Sequence, residues 1–124
     1  MNKVAVQIKY ALLVCILVFS GSACTKYTSS TLAAMEISGV ICNSLHYRCN
    51  ENSGSTEAYQ QESDCSEKMK ADLETFIDAN KIKIKQDDLN LCTGALGTIG
   101  CADLKQAKIE APAGCESLSA WFAK

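Results

Sequence analysis

A chain of 124 residues is one domain at most. Its 12 basic and 14 acidic side chains give a net charge of −2, with no block of like charge. That balance excludes an ordinary nucleic-acid binder, because a phosphate backbone needs a basic patch.

The chain opens with Lys3 and Lys9 around a positive start, followed over residues 10–19 by an apolar run of ten, YALLVCILVF. Ten residues are too few for a permanent membrane span and fit the core of an export signal, so residues 1–23 are expected to be a signal peptide. The run leads into Ser20, Gly21, Ser22, Ala23 and Cys24. Small side chains at Gly21 and Ala23 suit ordinary signal peptidase, which would release a soluble protein beginning at Cys24. The site also resembles a bacterial lipobox in Ser22-Ala23-Cys24, which implies that Cys24 carries diacylglycerol, although Gly21 stands where that pattern prefers leucine. Cysteine arithmetic favours the lipid. Of eight cysteines Cys15 leaves with the leader, and lipidating Cys24 leaves six, an even framework. Loss of Lys3 and Lys9 leaves 10 basic against 14 acidic residues, a mildly acidic and soluble domain.

Residues 24–30 read as the lipidated cysteine and a short polar tether, and residues 31–124 as the domain. A first helix is expected from Ser30 as N-cap towards Cys49, with Ala34, Ser38, Ile41, Cys42, Leu45 and Cys49 on one side. Gly39 costs that helix up to about 1 kcal/mol. Residues 50–62 (NENSGSTEAYQQE) read as a surface loop. A second helix follows, capped by Ser63 or Asp64 with Glu67 completing a capping box. Cys65, Met69, Leu73, Phe76 and Ile77 form its apolar stripe, while Lys68, Lys70, Asp72 and Glu74 form its wet side. Residues 81–85 (KIKIK) alternate as an extended link too isolated to make a sheet, with Ile82 and Ile84 on one side. Its lysines, followed by two aspartates, are weak grounds for a lipid-headgroup or nucleic-acid patch.

A third helix, capped by Asp87 or Asp88, carries Leu89, Cys92, Leu96 and Ile99 and ends near Gly100 and Cys101. Gly94, Gly97 and Gly100 recur every third residue without the Lys-Ser or Lys-Thr of a phosphate loop, so close helix packing is the expectation. Residues 102–111 connect onward with Leu104 and Ile109 as anchors. Pro112 then opens a fourth helix whose inner face is Cys115, Leu118 and Phe122, with Trp121 partly exposed.

Cysteine gaps of 7, 16, 27, 9 and 14 lack the paired close spacing of a zinc site, and C-x-x-C is absent, so no metal, haem or thioredoxin-like chemistry is suggested. His46 beside a cysteine nucleophile is formally conceivable, but an oxidising compartment favours disulfides. Six cysteines allow fifteen pairings. Helix ends favour Cys49 with Cys65 and Cys101 with Cys115, leaving Cys42 with Cys92. Cys42 and Cys49 share a helix face two turns apart and should not bond each other. The fold class expected is a small all-α bundle of three to four short helices stapled by three disulfides, after a signal peptide and short tether.

The lipid-type signal, C-x6-C on a first helix, a cysteine opening a second, the link KIKIKQDDLNLC, then Cys92 with Cys101 and Pro-x-x-Cys at Pro112 to Cys115, resemble the small helical cysteine-rich lipoproteins of myxobacteria and related deltaproteobacteria. The resemblance implies an envelope protein of unknown role and brings no catalytic residues. The expected function is a non-enzymatic, lipid-anchored envelope module, with a membrane contact through Cys24 and a protein partner. The alternative is a soluble secreted effector or inhibitor. No cofactor or nucleic acid is implied. The inner faces use up most large apolar residues, so activity is expected on a surface and not in a cleft. The loop of residues 50–62 with Tyr59, together with Tyr47, Arg48 and Trp121, are its best candidates, because Tyr, Arg and Trp dominate interface energetics.

Overall fold

The computed structural model describes residues 26–50, 55–105 and 109–124, without the side chains of Thr56, Glu57 and Tyr59. The leader and Cys24 lie outside the described residues. The chain folds as a small all-α bundle with three disulfides and one two-stranded ribbon.

Strand β1 is Tyr27–Thr28, and helix α1, Ser30–Asn43, follows at once. The N-cap is Ser29, one residue before the expected Ser30, and its hydroxyl accepts from the Leu32 N–H. Ala33, Ala34, Ile37, Ser38, Ile41 and Cys42 are buried along one stripe. Past Asn43 the helix widens into a π turn, Ser44–Arg48, closed by the Cys49 N–H donating to the Ser44 carbonyl at 2.9 Å. The wider turn carries Cys49 off the face that Cys42 occupies, so the expected uniform helix to Cys49 is replaced by a helix with a rotated end.

Helix α2, Thr56–Ala79, is 24 residues long, about 36 Å at the ordinary rise. It begins eight residues before the expected caps Ser63 and Asp64. Ser55 is the true cap, its hydroxyl accepting from the Ala58 N–H at 3.1 Å. Most of the expected loop, residues 56–62, is therefore helix; its Glu, Ala and Gln residues are good helix formers, polar composition notwithstanding. Asp64 and Glu67 lie inside the helix and form no capping box. Leu73 and Ile77 are buried against α1, with Met69 and Phe76 packed beside them. The helices run antiparallel: Thr31 near the start of α1 donates to Glu74 at 2.7 Å, while Cys42 near its end is bonded to Cys65.

Helix α2 ends in a Schellman motif: Lys81 takes φ 52°, its N–H donates to the Asp78 carbonyl, and the Ile82 N–H donates to the Ile77 carbonyl. Strand β2, Ile84–Lys85, then pairs antiparallel with β1, Tyr27 opposite Lys85 and Thr28 opposite Ile84. The link is thus not isolated, because the residues read as a tether supply its partner. Lys26 accepts from the Gln86 N–H, β1 is paired and Ser29 caps α1, so residues 26–29 are part of the domain and no spacer.

Helix α3, Gln86–Leu96, has Asp87 and Asp88 in its first turn, where the helix dipole favours them, but neither is the cap. It stops at Gly97, short of the expected Gly100. An added methyl group would meet open space at Gly94 and only ordinary contacts, 3.5 Å or longer, at Gly97 and Gly100, so close packing explains none of the three glycines. Helix α4, Cys101–Leu104, is one turn and buries Leu104. Pro112 opens a turn instead of a helix: the Cys115 N–H donates to its carbonyl, and Gly114 at φ 85° occupies the position that a type II turn reserves for glycine. A 3₁₀ turn, Glu116–Leu118, and helix α5, Ser119–Phe122, bring Leu118 and Phe122 into the core.

The disulfides are Cys42–Cys65, Cys49–Cys101 and Cys92–Cys115, with Cα separations of 5.8, 5.5 and 4.9 Å. None of the three expected pairs forms. The Cys49–Cys65 expectation rested on Cys65 opening a helix; with α2 starting at Thr56, Cys65 lies inside it and faces Cys42 across the antiparallel pair. The π turn delivers Cys49 to the start of α4, and the glycine turn folds Cys115 onto α3.

Candidate functional site

The C-terminal segment does not close fully over the hairpin of α1 and α2. Between them lies an open cavity of about 260 Å³, lined by Ile41, Leu45, Met69, Leu104, Ile109, Trp121 and Phe122, with Asp72 and Lys124 at polar positions. Of its lining, Ile41 and Phe122 belong to the core, and Leu45, Met69, Ile109 and Trp121 pack against it. Helix α2 supplies Met69 and Asp72 one turn apart, and α5 lays Trp121 across them.

Trp121 is half-buried and donates its indole N–H to Asp72 Oδ2 at 2.8 Å. Its ring meets Phe122 edge to face, centroids 5.0 Å apart, and the Lys124 ammonium stands 5.0 Å from the Phe76 ring centroid. Asp72 was assigned to the wet side of its helix and is exposed there, yet its carboxylate holds the tryptophan. Nothing in the sequence links residues 49 positions apart in this way.

A second, more open depression of about 460 Å³ is lined by Gly39, Val40, Asn43, Ser44, Arg48, Glu62 and Gly97. The Arg48 guanidinium donates to the Ile99 carbonyl and so ties the π turn to the turn between α3 and α4. Beside the Cys49–Cys101 bond, this gives Arg48 a structural task. Tyr47 is half-buried in the same turn, and Tyr59 belongs to the first turns of α2. Arg48 and Trp121 line different depressions, so the four expected surface residues are not gathered into one cleft.

The six cysteines of the domain are all oxidised in pairs, which leaves His46 in the π turn with no thiol among them to activate. Among the described residues no group of three or more His, Cys, Asp or Glu could hold a metal ion. Among them, too, no helix is long and apolar enough to cross a membrane. The arrangement offers apolar contact area and hydrogen bonding at two depressions.

No protein-family model, curated protein or solved structure matches this chain.

Proposed function

We propose that this chain is an exported, lipid-anchored envelope protein of the kind its cysteine spacing resembles, acting without enzymatic chemistry as a module for a protein partner. The observation that carries the reading is the complete pairing of Cys42, Cys49, Cys65, Cys92, Cys101 and Cys115 among themselves. Three disulfides fit an oxidising compartment outside the cytoplasm. They also leave no domain cysteine for Cys24, so in an exported chain Cys24 needs another fate, and diacylglycerol is the one its neighbours Ser22 and Ala23 suit. The half-buried Trp121 and Tyr47 offer the partner amphipathic rings on fixed backbone.

A second reading, a soluble secreted effector or inhibitor, is favoured by Gly21, which departs from the lipobox pattern but suits ordinary signal peptidase. The intact mass of the mature protein decides between them. A diacylglyceryl adduct on the fragment starting at Cys24 is the expected result. An unmodified mass for residues 24–124, recovered from the soluble fraction, would replace the anchored reading by the secreted one.

A further inference from the structure

The ribbon of β1 and β2 has one buried and one wet side. Ile84 is 4% exposed and faces the core, with Thr28 opposite it. Tyr27 and Lys85 are opposite each other, so their side chains leave on the other side, and Lys83, two residues from Lys85, joins them. Tyr27 is 50% exposed and the Lys83 ammonium lies 5.8 Å from its ring centroid. Lys26, exposed just before Tyr27, alternates to the other side of the strand and adds a third charge at the end of the ribbon. Among the described residues none of these three ammonium groups forms an ion pair.

We propose that this basic and aromatic side of the ribbon rests on anionic lipid headgroups. The inference builds on the lipidation of Cys24 and adds an orientation to it. The backbone of Lys26 is hydrogen-bonded to Gln86, and only Thr25 separates it from Cys24. Two residues span about 7 Å at full extension, so an acyl chain on Cys24 holds the ribbon end of the domain close to the bilayer surface. Lysines with a tyrosine between them suit that place: ammonium groups meet headgroup phosphates, and a phenol sits at the boundary of polar and apolar layers. Charge elsewhere strengthens the orientation. The chain without its leader has 10 basic and 14 acidic residues, so an anionic surface attracts the ribbon and repels the rest. Asp87 and Asp88, exposed on the first turn of α3, oppose the attraction locally, which sets a demand for a densely anionic membrane.

The test takes the full chain expressed with its leader and the mature product purified, its mass fixing the state of Cys24. The product is mixed with phosphatidylcholine vesicles, with or without phosphatidylglycerol, and lysine acetylation is mapped by peptide. Lys26, Lys83 and Lys85 should be protected severalfold on the anionic vesicles, reversibly with salt, while Lys68, about 16 Å up α2 from its C-terminal end, should not. Lys83→Gln and Lys85→Gln, both at exposed positions, should each weaken the association about fivefold. Equal acetylation of all four lysines on anionic vesicles would overturn the proposal even if the diacylglyceryl adduct is present. Protection by an acidic envelope protein and by neither vesicle would overturn it in favour of a protein partner. Protection with an unmodified Cys24 would retain the surface and dismiss the anchor.

Discussion

Residues 30–79 and residues 97–124 are held by different means. In the first region two long helices lay Ala33, Ala34, Ile37 and Ile41 against Leu73 and Ile77, with one disulfide across them. In the second region the helices are a single turn each, and a few anchors, Leu104, Leu118 and Phe122, are supported by two disulfides that reach back to the π turn and to α3. Long helices stabilise themselves by burying a continuous stripe, whereas short ones cannot cover the cost of their own nucleation and depend on being fastened elsewhere. One chain thus holds a region built by packing and a region built by cross-links.

The sharpest way to break the second region is a methyl group at Gly114. A Cβ there would stand 2.4 Å from the Asp88 carbonyl oxygen and 2.6 Å from the Cys92 nitrogen, on a residue already at φ 85°. Left-handed backbone and overpacking against main chain together cost about 4 kcal/mol. Gly114→Ala should therefore lose about that much in denaturant unfolding and give poor yield of the Cys92–Cys115 bond on peptide mapping. A variant of unchanged stability with the bond intact would show that the turn is not what seats the C-terminal segment.

Removing a cross-link from each region sharpens the contrast. Cys42–Cys65 and Cys92–Cys115 have the same sequence separation, 23, so chain entropy assigns them equal weight, about 3 kcal/mol. Their local consequences should differ. In Cys92→Ala/Cys115→Ala, amide exchange protection should vanish from residues 116–122 and persist in α1 and α2. In Cys42→Ala/Cys65→Ala, the helical hairpin should keep its exchange pattern at lowered global stability, because the apolar stripe remains. Uniform loss in both variants would make the domain one cooperative unit and dissolve the distinction.

The same division separates what could be read from the sequence from what could not. The stripe of Leu73 and Ile77 repeats over several turns and identifies its helix, just as the even count of cysteines identifies a disulfide domain. The start of that helix was obscured by two serine caps eight residues apart, since residues 56–62 carry only Ala58 and Tyr59 among polar residues and show no periodic signal. The expected Cys49–Cys65 pair followed from that one boundary, and the expected Cys101–Cys115 pair from the helix read after Pro112. A π turn has no residue signature either, and it alone moves Cys49 away from Cys42. In the C-terminal region Pro112 and Gly114 did spell a turn, but the apolar spacing of Cys115, Leu118 and Phe122 imitated a longer helix. The cavity under Trp121 depends on where three short segments meet, and its Asp72 partner is legible only in three dimensions.

The smallest expected effect tests whether the first region carries strain that its packing tolerates. Lys81 occupies the left-handed position of the Schellman motif, where glycine is usual, with its side chain exposed. The conformation costs a side-chain-bearing residue about 1 to 2 kcal/mol. It persists because Ile77 and Ile82, the residues bonded through the motif, both pack on the core and fix the direction in which the chain leaves α2. Glycine would relieve the strain but would bring about 0.5 to 1 kcal/mol of extra backbone entropy to the unfolded chain. Lys81→Gly should accordingly stabilise the protein by about 0.5 kcal/mol in urea unfolding, with an unchanged m value. A loss of stability would mean that the lysine side chain contributes more than its backbone costs, and the end of α2 would then depend on a surface contact and not on the buried isoleucines.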